Sequence, residues 1–537
     1  MAPLPRVLVA FITGLLLTCY NPLAFGQQAT VLISFASMTL TYIVLSLMTK
    51  QGKATSTFGV MVYVFALTLG LTRGAFSHYG MQNNKDSNER IVRAVVTNNA
   101  VEKKNTFAVN IDCGKEGGKQ IVYLWSEDDS PLSLQPGDSI RFVPQKTNYV
   151  IDEIERMKKE KEKKYLGYQW YLYYSHINAT QFSSRWWTTK KKDSHHGFHW
   201  GRLRRQMSEK YVSLQLPSEE RAILTAMTLG DKKGMQGNGK SISSDFSRAG
   251  VSHVLALSGF HLTIIYALLD MLFLTSFFHR RRKWIPNIIV IACLWAYTFL
   301  ADTPPSLVRA AAMCTIISVA KSIYGGRQSS LDALILSAFI MLMYDPFYLM
   351  NISFQLSYAS MLGITLASPT LSHLQVSINK TSMTNIAKKI VTYFSGIILI
   401  SVIATIATAG IVAYHFSSIS LIGVATNICV SVLASILMIA AVVWWILQLF
   451  WGITTLDTTS IAETLNSFMG MFLHWLLKGM LQTVEFFASF PHATLSWSPS
   501  LLEMSLYYIA LFTTIWGIIN WKEIPNKFRI RKRLKKN

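Results

Sequence analysis

The sequence predicts a polytopic α-helical membrane protein of about 10–12 spans with one small β-barrel inserted between two groups of spans. Three observations predict it. The 537 residues are 51% hydrophobic and only 15% charged, against about 25% charged in a typical soluble domain. Apolar runs of near-bilayer length alternate with short charged breaks. One stretch, from about residue 78 to residue 245, is instead polar and charged like a soluble domain.

The runs come in order as 7–25, 29–48, 57–72, 249–278, 287–301, 306–324, 331–344, 351–368, 390–412, 419–450, 463–488 and 501–520. A hydrocarbon core of about 30 Å requires roughly 20 apolar residues as helix. The first run has the length of a signal peptide, but two more follow at once, so it reads as an uncleaved anchor. The run 331–344 is short enough to be tilted or re-entrant. The run 463–488 carries Glu463, His474, Lys478 and Glu485 and reads as partly interfacial. Basic clusters orient the whole. Lys50 with Lys53, His279–Lys283, Lys388–Lys389 and the tail RIRKRLKKN share one side if every run crosses. The positive-inside rule makes that side the cytoplasm, so the insert is extracytoplasmic. The basic tail also suits anionic lipid headgroups.

Within the insert, IVRAVVTNN, TFAVNIDCG, KQIVYLWSED and DSIRFVP read as short strands between Asn, Gly and Asp turns. Four or five strands in about 60 residues fit a small closed barrel of the OB type, or half of a small sandwich. Residues 152–165 read as a charged helix. From residue 156 to 210 there are 14 Lys and Arg against four Asp and Glu, interleaved with Trp and Tyr. Trp170, Arg185, Trp186, Trp187, Lys190, Lys191, Lys192, Arg202, Arg204 and Arg205 are the candidate contacts. Cations neutralise phosphates and aromatic faces stack exposed bases, which suits single-stranded nucleic acid. The same composition suits a membrane interface and its headgroups. His195, His196 and His199 read as a surface group rather than a metal site. The five cysteines, Cys19, Cys113, Cys293, Cys314 and Cys429, make no metal-ligand spacing, and Cys113 has no disulfide partner in the insert. No metal or cofactor is expected.

The second group of spans holds the most specific residues. In Asp245–His261, a continuous helix would put His253, Ser258 and His261 on one polar face of an apolar span. Such residues line a bundle interior or a water-filled path, or pack helices together. Gly259 is a candidate break. In Thr303–Ala310 the prolines interrupt the chain, Ser306 is expected to cap the next helix, and Arg309 enters its first turn. Arg309 reads either as a snorkelling interfacial cation or as the mouth of an anion path. Asp345–Pro346 closes one span, Gln355 and Ser357 open the next, His415 lies in a later turn, and Asn427 lies in the span after it.

Together these motifs resemble the competence domain of the ComEC family, the membrane channel that admits transforming DNA. The family pattern of Gly, two residues and His-Leu-Leu-Ala-x-Ser-Gly-x-His resembles Gly250–His261, with Val254 at the first Leu. Its Pro-Ser-x-x-Arg-Ala is similar to Pro305–Ala310. Its Asp-Pro and Phe-Gln-Leu-Ser elements are similar to Asp345–Pro346 and Phe354–Ser357, and its later Asn to Asn427. The proline that often follows that Asn element is missing here. The resemblance covers residues 220–520 and extends to three N-terminal spans followed by an OB-like domain. It implies uptake of single-stranded DNA across a bacterial cytoplasmic membrane. His253, Ser258, Gly259, His261, Arg309, Gln355, Ser357 and Asn427 would lie along the path. Membrane lipids, an extracytoplasmic DNA receptor, a separate nuclease and a cytoplasmic motor are the implied partners. Many members carry a C-terminal metallo-β-lactamase-like domain with His-x-His-x-Asp-His. That motif is absent here, so nuclease activity is not carried over. No nuclease or ATPase motif is assigned, and no enzyme is expected.

The predicted organisation is an N-terminal transmembrane group at 1–75, an OB-like domain at 85–150 and a basic aromatic segment at 151–220. A channel domain at 221–520 and a basic cytoplasmic tail at 521–537 complete it. Two other readings stay open. One is a transporter for another polyanionic or lipid-linked substrate. The other is an intramembrane serine hydrolase, because Leu257–Ser258–Gly259 is similar to the rhomboid Gly-x-Ser-Gly, with Ala256 in place of the first Gly and His261 or His415 as base.

Overall fold

Where the chain is described, the predicted spans emerge mainly as helices, interrupted within the runs at residues 249–251, 256–258 and 419–422. The computed structural model describes residues 3–20, 56–83, 91–126 (apart from 98–99, 104–105 and 115–117), 131, 134, 136–159, 166–189, 200–231, 235, 242–274, 284–324, 329–379, 385–453, 459–491 and 493–521. The run 29–48, Lys190–Lys192, His195–His199 and the tail beyond Trp521 lie outside the described residues. Contacts divide the chain into two units. The first holds residues 1–236, 257–354 and 438–472. The second holds 237–256, 355–437 and 473–537.

In the first unit, helices α1 (Pro3–Tyr20) and α2 (Ser56–Asn83) pack closely because small residues face each other. A Cβ on Gly70 would overlap the carbonyl oxygen of Phe11, and one on Gly14 that of Leu67. Further along α2, Arg73 Nε donates to the Met343 carbonyl at 2.8 Å and Nη2 to that of Tyr344. Those carbonyls end a later helix, where a cation is favourable.

The insert follows as β1 (Val92–Val96), β2 (Val101–Glu102), β3 (Phe107–Asp112), β4 (Lys119–Leu124), β5 (Ser139–Val143) and β6 (Lys146–Tyr149). Then come helices α3 (Val150–Lys159) and α4 (Leu166–Tyr174), and strands β7 (Ile177–Ser183) and β8 (Arg185–Thr189). Strict alternation buries Val92, Ala94 and Val96 of β1 against Val109, Ile111, Val122, Ile140 and Phe142.

The expected closed barrel does not form. The hydrogen-bonded order is β6-β7-β4-β3-β1-β5-β8, with β2 also on β3, and the ladder ends at β6 and β8. Residues 177–189, outside the predicted strands, join the sheet as well. β7 runs parallel to β4, then the chain bends at Ser184 and β8 runs antiparallel to β5. Ser183 Oγ pins the bend, lying 2.8 Å from the Val143 carbonyl oxygen and 2.9 Å from that of Arg185, which share its one hydrogen. Below the sheet, Met81 of α2, Ile154 of α3, Leu172 and Tyr173 of α4, and Phe347 form a second core. His78 is buried there, with Nδ1 2.8 Å from Tyr173 Oη.

The helical part continues with α5 (Trp200–Lys210), α6 (Ser218–Leu229), α7 (Ile242–Arg248), α8 (Ser252–Leu255), α9 (Gly259–Leu274), α10 (Trp284–Leu300), α11 (Pro305–Tyr324) and α12 (Ser330–Tyr344). After it come α13 (Ile352–Asn379), α14 (Asn385–Phe416), α15 (Gly423–Ile453), α16 (Thr459–Ala488) and α17 (Leu501–Trp521). A two-stranded ribbon pairs β9 (Ser418–Ser420) with β10 (Thr494–Ser496). Among the described residues, three helices are long and apolar enough to cross a bilayer: Pro305–Ile323, Phe394–Phe416 and Gly423–Gln448. Five more are apolar but shorter: Leu4–Thr18, Gly259–Met271, Ile285–Leu300, Ser330–Tyr344 and Leu501–Ile515. In the second unit α17 is fixed to α14 by Tyr507 and Tyr508, whose hydroxyls donate to the carbonyls of Ile406 (2.7 Å) and Ala407 (3.0 Å).

Candidate functional site

The run 249–278 is two helices with a break. α8 ends at Leu255, Ala256 is extended (φ −89°, ψ 135°), and α9 begins at Gly259. Ser258 and His261 build that beginning. The Ser258 N–H donates to His261 Nδ1 at 3.1 Å, and Ser258 Oγ lies 3.3 Å from the same nitrogen. His261 thus supplies the side-chain-to-N-cap half of a capping box, in place of the usual Glu or Gln. Accepting that bond makes Nδ1 the unprotonated nitrogen of the ring. The Ser258–His261 contact is thus accounted for as a helix start.

Beside the break stands Arg309, only 7% exposed, the fifth residue of α11 and the first of its second turn. Its Nη1 is 3.5 Å from Met313 Sδ, one turn onward. A Cβ on Gly259 would stand 2.6 Å from Arg309 Nη2 and 3.3 Å from Ala310 Cβ. The missing side chain at Gly259 is therefore what lets the guanidinium lie against the start of α9. A helix start carries partial positive charge, so two positive groups meet inside an apolar bundle. That arrangement favours a negative group between or beside them. The turn before α11 is set by Asp302 and Thr303, both with positive φ (68° and 50°), and by Pro305 at the first helical position. Ser306 is therefore inside the helix and not its cap.

The second unit contains a separate polar chain. His253 Nε2 lies 3.3 Å from Asn427 Oδ1, and Asn427 Nδ2 donates to Ser401 Oγ at 2.8 Å. It connects α8, α15 and α14. Ser401 is buried, and nothing in the sequence singles it out, since serine is common in apolar helices. Gln355 Oε1 lies 3.4 Å from His415 Nε2, and the Ser357 carbonyl accepts from Ser360 Oγ at 3.0 Å. Gly250 (φ 77°) lies so close to the β9 ribbon that a Cβ would be 2.6 Å from Ser420 Oγ. The eight path residues therefore fall in two sets. Ser258, Gly259, His261 and Arg309 belong to the first unit, and His253, Gln355, Ser357 and Asn427 to the second.

Asp345, of the Asp-Pro element, is structural. Its Oδ1 accepts from the Phe347 N–H at 3.0 Å and its Oδ2 lies 2.8 Å from His176 Nε2. It ties the corner between α4 and β7 to the end of α12.

In the insert the candidate residues have different surroundings. Trp170 packs in the second core, with Lys158 Nζ 5.0 Å from its ring centre. Trp186 is partly buried on the sheet core, whereas Arg185 and Trp187 are exposed. Arg202 is exposed. Arg204 reaches Asp302 Oδ2 at 3.6 Å, and Arg205 reaches Glu209 Oε1 at 2.8 Å. An open cleft of about 540 Å³ is lined by Trp125, Ser126, Ser184, Arg185, Trp186 and Trp187. Trp125 was not singled out from sequence, although it closes the strand KQIVYLW.

Although no ATPase motif is assigned above, one string has the letters of a phosphate loop. Gly234–Ser241 fits Gly-x-x-x-x-Gly-Lys-Ser letter for letter. A phosphate loop leaves a strand and opens a helix. Here α6, a helix, precedes the string, and residues 236–241 lie outside the described residues. The match is one of letters without the strand that gives it meaning.

A helical bundle of membrane-crossing character, interrupted by a polar break and joined to a sheet, is the class these features define. A family model described as "Competence: Competence protein" matches residues 227–521, more than half of the chain and all of the broken-helix region. The chain belongs to the competence protein family. It is 27% identical over 217 residues to ComE operon protein 3 of Bacillus subtilis (strain 168). That alignment covers 40% of this chain and 25% of the relative, so the chain matches about a quarter of that protein's length. No solved structure matches.

Proposed function

We propose that this protein conducts single-stranded DNA across the bacterial cytoplasmic membrane during natural transformation. The observation that carries this reading is Arg309, buried against Gly259 at the break between α8 and α9. A buried guanidinium beside a helix start is suited to a phosphate, and a strand of DNA offers phosphates in series. In this reading the bundle has about 10–12 spans, the insert faces the outside, and the basic clusters face the cytoplasm. A receptor outside, a nuclease and a cytoplasmic motor supply what the conduit itself does not.

The test is import of labelled DNA by cells carrying Arg309→Ala and Arg309→Lys, with membrane insertion checked by fractionation. Import should fall at least about tenfold in Arg309→Ala, since one charge-assisted contact to phosphate is worth ~1.5–3 kcal/mol. Normal import by a stably inserted Arg309→Ala protein would remove Arg309 from the path.

A further inference from the structure

The turn that launches α11 is strained, and the basic helix α5 grips it. Asp302 and Thr303 stand one after the other in the left-handed region, with φ of 68° and 50°. Neither is a glycine, and Thr303 is β-branched, which makes its positive φ a true outlier. A conformation of this kind persists only where its surroundings over-determine it.

Those surroundings are specific. The N–H groups of Asp302 and Thr303 donate to the carbonyls of Phe299 (3.1 Å) and Thr298 (2.9 Å), at the end of α10. A Cβ on Gly230, just past α6, would stand 3.3 Å from the Ala301 carbonyl oxygen. The remaining contacts come from α5. Its Trp200 ring stacks on Phe299, with centroids 5.8 Å and planes 23° apart. Four residues on, and so on the same helix face, Arg204 reaches Asp302 Oδ2 at 3.6 Å with its own side chain only 12% exposed. Asp302 is 60% exposed, so the pair alone is weak, and the aromatic stack beside it fixes its geometry. The other end of the grip is the sheet. A Cβ on Gly201 would stand 3.3 Å from Pro136, in the turn before β5.

What the turn controls lies on α11. The Pro304 carbonyl accepts from the N–H groups of Leu307 (2.9 Å) and Val308 (3.1 Å), so the helix begins directly from the turn. Leu257 of the break, Ala301, Leu307 and Ala310 share one core. A relaxed turn would rotate or shift the start of α11, and Arg309 has no slack against Gly259 in which to absorb that.

We propose that Arg204 is a positioning residue. With Trp200 it latches the strained turn at Asp302–Thr303, and the latched turn sets where Arg309 lies against Gly259. Arg204 thereby leaves the set of candidate nucleic-acid contacts and acts through Asp302. The consequence for import rests on the conduction reading, whereas the consequence for the placement of Arg309 does not.

The experiment uses the full chain in membranes and has three readouts: modification of Arg309 by phenylglyoxal followed by mass spectrometry, thermal melting, and DNA import. Phenylglyoxal attacks accessible arginines, and Arg309 is buried in the latched protein. In Arg204→Ala its modification should be about two- to fivefold faster, the size of effect that a partly exposed ion pair supports. Arg204→Lys keeps the charge and should restore most of the protection. Asp302→Gly removes the pair and the strain together, because glycine adopts positive φ freely. It should expose Arg309 as Arg204→Ala does, yet melt no lower than wild type. Import should fall in step with the loss of protection. Wild-type modification of Arg309 in Arg204→Ala and Asp302→Gly overturns the proposal. A lower melting temperature in Asp302→Gly also overturns it, since the turn would then be a structural support without stored strain. Faster modification with normal import upholds the latch and sinks the role of Arg309 in conduction.

Discussion

In the sheet, Arg93 and Arg185 stand exposed on an outer face, whereas in the bundle Arg309 is buried against Gly259. Water and salt screen the first pair, so each contributes little by itself and several act together. No such screening reaches Arg309. Its position depends on one atom that is missing from Gly259. Exposed charge can be spread over a row and replaced piecemeal, while buried charge needs a particular backbone beside it.

The comparison supposes that sheet and bundle hold together independently, and the largest test addresses that. Phe142 is fully buried in the sheet, and Phe142→Ala should cost ~3–5 kcal/mol. Proteolysis should then open residues 91–189 while the helical circular dichroism signal persists. Simultaneous loss of both would break the comparison.

The next effect is acid sensitivity near the insert. Burial lowers the His78 pKa from 6.5 to about 4. His78 lies past the predicted span 57–72, against Tyr173 and Phe347. Because the folded value is below the unfolded one, the unfolded chain binds more protons between them. Stability is therefore full above about pH 6.5, falls as the pH drops towards 4, and levels off below. The loss is on the order of 3 kcal/mol, at ~1.4 kcal/mol per pH unit. Thermal unfolding of wild type and His78→Gln between pH 7 and pH 4 should show the slope only in wild type.

Gly259→Ala sharpens the bundle side. The added methyl must displace the Arg309 guanidinium, at a cost of ~1–3 kcal/mol typical of overpacking. Import should fall as in Arg309→Ala while the sheet's resistance to proteolysis is unchanged. The smallest effect is at Arg205, whose pair with Glu209 is exposed on one helix. Arg205→Ala should shift stability by less than ~0.5 kcal/mol in a thermal melt.

The helices were legible because length and apolarity report a bilayer directly, and because local signals mark their ends. Pro305 at the start of α11 and Asp345 after α12 are such signals. The break at Gly259 was legible as an option only, since the same letters allow a continuous helix. The contact between Gly259 and Arg309 was not legible at all, because the two are brought together by packing between α9 and α11. β7 was not recognised as a strand for a related reason. Its Asn178, Thr180, Gln181 and Ser183 are buried polar residues, so it lacks the apolar alternation by which a strand is recognised. Its parallel partner β4 is more than 50 residues away in sequence. The pairing of Arg93 with Arg141, and of Arg141 with Trp187, was hidden likewise, since register across strands is invisible in a linear string.

The bend at Ser184 has a mechanical consequence. One uninterrupted stretch of backbone, residues 177–189, serves both flanks of the sheet, β4 at one and β5 at the other. The two flanks are linked there by peptide bonds, which heat and denaturant do not dissolve. Tension that peels one flank must draw on the other through that tether, and a single cut at Ser184 would sever it.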